Sequence, residues 1–186
     1  MDAINLLLKR VSVPRLQEPA PNAEQLEIML RAALRAPDHG QLCPYRFLTI
    51  QGDSRHALGE LFVEGLLTTT PDADSALIEK TRAMPLRAPL LVLVIATLTE
   101  QHKVPTDEQM ITAGCAAHGI LLAAQAQGLG AVWRTGPVAQ MPSVNQGLGL
   151  QANEHVVAYM YLGTPINALR NPPVVDPAPH VQAWPQ

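Results

Sequence analysis

"APLLVLVIAT", residues 88–97, is the longest strongly apolar run in the chain, and its length governs how the flanking segments are read. A membrane-crossing helix needs roughly 20 apolar residues, so this run is too short to span a bilayer. It reads instead as a strand that is apolar on both faces, and such a strand needs a packed layer on each side. The sequence that follows supplies one. "DEQMITAGCAAHGILLAAQAQGLG", residues 107–130, is a long helical pattern of small and apolar residues that ends at Gly128 or Gly130. It is apolar nearly all round, which implies burial between layers or against another subunit. Thr106 and Gln109 stand at capping-box spacing at its start.

Outward from this pair, "AVWRT" and "HVVAYMYLG" read as two further strands, and "YRFLTI" as the first strand of the chain. Asp2 is placed to cap a short opening helix with Ile4, Leu7 and Leu8 on one face. Asn22 and Gln25 form a capping box ahead of a stripe of Leu26, Met29, Leu30, Ala33 and Leu34, which Pro37 stops. "SRHALGELFVEGLL" and "DSALIEKTRAM" are helical patterns around a turn-rich stretch. Helices and strands interleave without strict alternation. The expected class is α+β, or layered α/β, with a mixed sheet of about four strands flanked by helices. A single domain over residues 1–186 is expected, and so small a sheet is most simply completed by dimerisation. The proline-rich tail after Pro165 carries Trp184 and cannot form a core of its own.

Composition closes several functional classes. A net charge of −3 gives no electrostatic case for nucleic acid. No membrane segment is expected, and "MDAINLLLKR" lacks the basic start and cleavage site of a leader. Cys43 and Cys115 lie far apart and outside paired-ligand spacing, which points to a reduced, cytoplasmic protein without a metal. "GLGAVWRTG" has Trp133 where a dinucleotide fingerprint needs its third glycine, and it follows a helix rather than a strand. Cys115 and His118 share a helical face, but no second ligand pair accompanies them, so a small core cysteine and a satisfied core histidine are expected. Cys43 and His39 are near enough for a thiol nucleophile and its base, yet no orienting partner is recognisable.

Three stretches place guanidinium or hydroxyl groups at the ends of elements. "KRVSVPR" carries Arg10 and Ser12, "RAPDHGQLCPY" carries Arg35, Asp38, His39 and Gln41, and "VWRTG" carries Arg134 and Thr135. A guanidinium fork suits a phosphate, because it makes paired charge-assisted hydrogen bonds. Small polar groups and prolines suit the rim of a flat heterocycle.

In these stretches, together with "RAPLLVLVIA", "HKVP" and "YLGTP", the chain resembles the nitroreductase family of FMN-dependent NAD(P)H oxidoreductases, and its compact bacterial members in particular. The resemblance spans almost the whole chain. It implies a homodimer with two FMN sites at the interface. Arg10, Val11 and Ser12 would lie at the flavin phosphate and ribityl chain. Pro37, Asp38, His39 and Gln41 match a loop that commonly meets the flavin from the partner subunit, Arg35 matches an arginine associated with flavin binding in the compact members, and Trp133, Arg134 and Thr135 match a strand-end flavin segment. NADH or NADPH would reduce the flavin, and a small acceptor such as a nitroaromatic or quinone would then reoxidise it in a ping-pong cycle. No residue is assigned as an obligatory acid or base. The chain departs from the family pattern at Val11, Gly40 and the Cys43, Pro44 and Tyr45 run. The alternative is a protein of the same fold that holds or senses a flavin with little turnover.

Overall fold

The computed structural model describes residues 2–184. Asp2 caps α1 (Ala3–Lys9) through the Asn5 amide, and β1 (Leu16–Gln17) follows. The Asn22 and Gln25 box forms in both directions at the start of α2 (Ala23–Ala33). Next come β2 (Tyr45–Gln51), α3 (Ser54–Thr69), α4 (Ser75–Arg82) and β3 (Leu90–Thr97). The chain continues through α5 (Thr106–Ala126), β4 (Gly130–Arg134), α6 (Pro142–Gly147) and β5 (Glu154–Pro165).

β3 runs between β2 and β5, and β5 also pairs with β4 and, at its far end, β1. The fold is the α+β layered arrangement expected. The sheet has five strands, and every recorded pairing is antiparallel, where about four strands in a mixed sheet were expected. The extra strand is β1, two residues long and held only by Pro165 and Thr164 of β5. Two residues carry no periodicity to read, so only tertiary pairing defines it.

Successive side chains of β3 point to opposite faces. Leu90, Val92, Val94 and Ala96 join α2 and α5 in one core, with Met29, Ala33, Ala117 and Ile120. Leu91, Leu93 and Ile95 face α3, where Leu58 and Phe62 meet Tyr159 and Tyr161. Truncating a fully buried leucine such as Leu93 to alanine should cost about 2–5 kcal/mol. Gly119 lets α2 and α5 approach closely, since a Cβ there would lie 2.9 Å from the Ala32 carbonyl oxygen.

α5 buries most of its surface inside its own chain, leaving Ile111 and His118 exposed. His118 is therefore a surface residue and not the core histidine expected, and Cys115 is half-buried. The second capping box does not form: Pro105 precedes the helix and no side chain caps it. Gln109 is instead buried, accepting from the Thr99 amide at 2.8 Å and donating to the Thr99 and Val104 carbonyls at 3.0 Å each. Ile4, Leu7 and Leu8 of α1 remain exposed, as does Trp184.

Candidate functional site

The site grows from the β4 side of the sheet. Beyond β5, the free edge of β4 takes one bond from the incoming chain, with the Val13 amide donating to the Ala131 carbonyl at 2.9 Å. This sets residues 10–13 beside β4. A second tie comes from α5, where the buried Gln125 accepts from the Val11 amide at 2.9 Å and donates to the Lys9 carbonyl at 3.1 Å. Gln125 thus holds both sides of Arg10 by the backbone while Arg10 itself closes α1 through the Leu6 carbonyl. The visible signal for Gln125 was a long polar side chain amid an otherwise apolar and small run.

Two guanidinium nitrogens along this edge are buried with no hydrogen-bond partner among the described residues: Nη1 of Arg10 and Nε of Arg134. An unsatisfied buried charged donor costs more than the roughly 1–3 kcal/mol of a neutral one. Arg134 lies over the Tyr161 ring, 5.7 Å from its centroid. From Ala131 to Arg134 is three residues, about 10 Å of strand. Ser12, Arg15, Asn167 and Arg170 border a cavity of about 190 Å³ beside the same segment. Arg15 and Arg170 were not among the expected site residues. Arg170 sits in the tail, whose return to the first loop is a tertiary contact that no local pattern announces. A flavin mononucleotide carries one phosphate, and the cavity bordered by Ser12, Arg15 and Arg170 offers the charged and hydroxyl donors such a group needs.

The third stretch is built differently. Asp38 folds it, with one carboxylate oxygen accepting from the Leu42 amide at 3.2 Å and the other from the Cys43 amide at 2.7 Å. Gly40, Gln41 and Cys43 all have positive φ, at 77°, 54° and 47°, so two side-chain-bearing residues are held in backbone that favours glycine. The loop is pinned to the first half of α5. Thr112 Oγ1 donates to the Pro37 carbonyl at 3.0 Å, and His39 Nδ1 lies 2.8 Å from Glu108 Oε2. Arg35, Pro37, His39 and Gln41 are exposed. His39 is engaged by Glu108, and no bond between it and Cys43 occurs among the described residues, which leaves the thiol without its proposed base.

The structure therefore brings residues 10–12 and 133–135 along one edge and leaves residues 35–41 apart. Thr112 and Gln125 are thirteen positions from one another, about 20 Å along a helix. Trp133 is also separated from the loop, because its ring reaches α5 at Gly114, two positions and about 200° round from Thr112. Within one chain the three stretches do not enclose one pocket. Among the described residues no cluster of three or more histidine, cysteine, aspartate or glutamate side chains could hold a metal. No described helix is long and apolar enough to cross a membrane.

The sequence and the layered α+β fold match known proteins. The Nitroreductase family pattern covers residues 7–164. The chain is 42% identical over 182 residues to the Escherichia coli K12 protein named "Putative NAD(P)H nitroreductase YdjA", covering 97% of this chain and 98% of that one. A nitroreductase-like family protein from Bacillus cereus superposes with a TM-score of 0.83 at 18% identity, covering 100% of this chain and 97% of the other. A Desulfovibrio desulfuricans structure, described as a "putative nitroreductase in complex with fmn", gives 0.77 at 22% identity, over 98% and 96% of the two chains. The chain belongs to the nitroreductase family and is an oxidoreductase enzyme.

Proposed function

We propose that the protein is a single-domain, FMN-dependent, cytoplasmic reductase that oxidises NADH or NADPH and passes the electrons to a small organic acceptor such as a nitroaromatic or quinone. The observation that carries this reading is the buried, partnerless Nη1 of Arg10, with Ser12 two residues on, in a chain of this family. Arg10 and Ser12 hold the phosphate, and the Val11 backbone, fixed by Gln125, orients the segment. Trp133, Arg134 and Thr135 form a wall beside the ring. When bound, FMN supplies the redox chemistry, accepting a hydride equivalent and releasing electrons to the second substrate.

The working unit in this reading is a homodimer. The α5 anchors of the two segments, Thr112 for Pro37 and Gln125 for Lys9 and Val11, are about 20 Å apart along the helix, and in this reading a second copy supplies Arg35, Pro37, Asp38, His39 and Gln41 to each flavin. The exposed Ile4, Leu7 and Leu8 of α1 give such a partner an apolar surface. Both cysteines are free, in keeping with a reducing compartment.

The test is steady-state turnover by FMN-saturated protein, with NADH and NADPH each offered against a quinone and a nitroaromatic. Oxidation of either nicotinamide that depends on the acceptor is the expected result. Flavin bound stoichiometrically with no turnover above the free-FMN background would replace this reading with that of a flavin-holding protein.

A further inference from the structure

On the α3 face of the sheet, next to the end of β4, lies a recess of about 220 Å³ that adjoins the wall assigned to the flavin and shares Arg134 and Thr135 with it. Its apolar wall includes Phe62 and Met84, and its polar wall is Arg87, Arg134, Thr135, Tyr159 and Tyr161. It shares no lining residue with the cavity at Ser12, Arg15 and Arg170.

The polar groups are short of partners. Nε of Arg134 and the hydroxyl of Tyr159 are buried with no hydrogen bond. Neither Arg87 nor Arg134 forms an ion pair with a carboxylate among the described residues. Burial holds both tyrosines protonated, with Tyr161 pushed above the usual phenol range although the charges of Arg87 and Arg134 act the other way. The phenols are therefore donors to an incoming anion, beside two cations. Phe62 already packs edge-on to Tyr159 at 5.6 Å between centroids, so the wall is aromatic and rigid. The size also discriminates. Pockets for drug-sized ligands run from roughly 300 to 1,000 Å³, and this one suits a single substituted ring.

We propose that the recess between Arg87 and Arg134 binds the carboxylate of a small aromatic acid, making acidic aromatic acceptors the preferred class. The preference rests on the reductase reading; the binding site itself does not. Arg87 and Arg134 take the carboxylate between them, Tyr159 donates to it, and Phe62 and Met84 cover the ring. A neutral amide of the same shape leaves both guanidinium groups without a counter-charge, which sets the discrimination.

The experiment is calorimetric binding of 4-nitrobenzoate and 4-nitrobenzamide to oxidised protein, with and without saturating FMN, in the absence of any reductant. The acid should bind about tenfold or more tighter than the amide, the scale of one lost charge-assisted hydrogen bond. Arg87→Gln should abolish that difference while leaving FMN affinity within about twofold, and Arg87→Lys, which keeps the charge, should retain part of it. Equal affinity of wild-type protein for acid and amide overturns the proposal. So does an Arg87→Gln protein that loses FMN about tenfold, since the recess would then belong to the flavin phosphate. Selective binding of the acid by protein that cannot bind FMN upholds the recess and removes the reductase reading.

Discussion

Two arginines on strands of the same sheet are treated in opposite ways. At the β2 edge, Arg46 meets Glu154 across β3 in a two-pronged pair, Nε to Oε1 at 2.6 Å and Nη2 to Oε2 at 2.8 Å. Glu154 also accepts from the Gln151 amide at 3.0 Å and the Thr97 hydroxyl at 3.3 Å. At the β4 edge, Arg134, and Arg10 on the segment that joins this edge, each keep a buried nitrogen with no hydrogen-bond partner among the described residues. The chain carries sixteen acidic residues, so carboxylates are not scarce. One edge is closed as structure, and in the proposed reading the other is left open for an anion that the chain does not supply. A partnerless buried guanidinium is a standing cost, and binding a phosphate or carboxylate removes it.

The largest effect should come from Arg10. Arg10→Met keeps the aliphatic stem and deletes the fork, so FMN affinity should fall by about 1.5–3 kcal/mol, tenfold to somewhat over a hundredfold. The flavin-free protein should melt no lower than wild type, because an unpaired charge has been removed rather than a bond. Titration of flavin fluorescence and a thermal melt check the two halves. A large drop in melting temperature with little change in affinity would erase the contrast between the edges.

Glu154→Gln should do the reverse, leaving FMN affinity unchanged and lowering stability by about 2 kcal/mol, or about 4–8 °C in a chain of this size. The pH dependence follows from the same pair. Hydrogen bonds from Arg46 hold the Glu154 carboxyl at about 2, below its ordinary 4.5. A depressed folded-state pKa contributes stability that is complete above pH 4.5 and lost as pH falls towards 2. The Arg46 side chain is 39% exposed, so solvent screening makes this loss smaller than the shift alone would give. Wild type and Glu154→Gln should therefore converge in stability on acidification over that interval. Parallel melting curves down to pH 2 would show that the pair is only decorative.

Most of this architecture was legible where one layer of the fold repeats itself. The run at 88–97 told of a strand buried on both faces, and Asn22 with Gln25 told of a helix start, because both patterns are local. Thr106 with Gln109 shows the same spacing and means something else. There the preceding loop folds back to offer the glutamine two carbonyls and an amide, and these partners win. The candidate site is proposed from three arginine-bearing stretches, and their assembly could not be read. That Gln125 clamps Arg10, or that residues 35–41 sit far along α5, depends on how the helix crosses the sheet. Whether an arginine has a carboxylate beside it is likewise settled only by folding, and on that the contrast of the two edges turns.

The smallest effect is expected at Cys43, which stands in the strained loop yet is exposed and lacks a base, since His39 bonds Glu108. Cys43→Ser should change turnover of flavin-saturated protein by less than about tenfold, or ~1.4 kcal/mol of barrier. Loss of turnover with flavin still bound and reducible by dithionite would make the thiol part of the chemistry.

The central claim is that Arg10 is left open for the phosphate of a flavin. The most direct measurement is a side-by-side titration of the wild-type protein, stripped of any flavin, with FMN and with riboflavin, which differ only in that phosphate. The account predicts one FMN per chain, bound about tenfold or more tighter than riboflavin, as befits at least one charged hydrogen bond. Equal affinity for the two, or no binding of either, would contradict it.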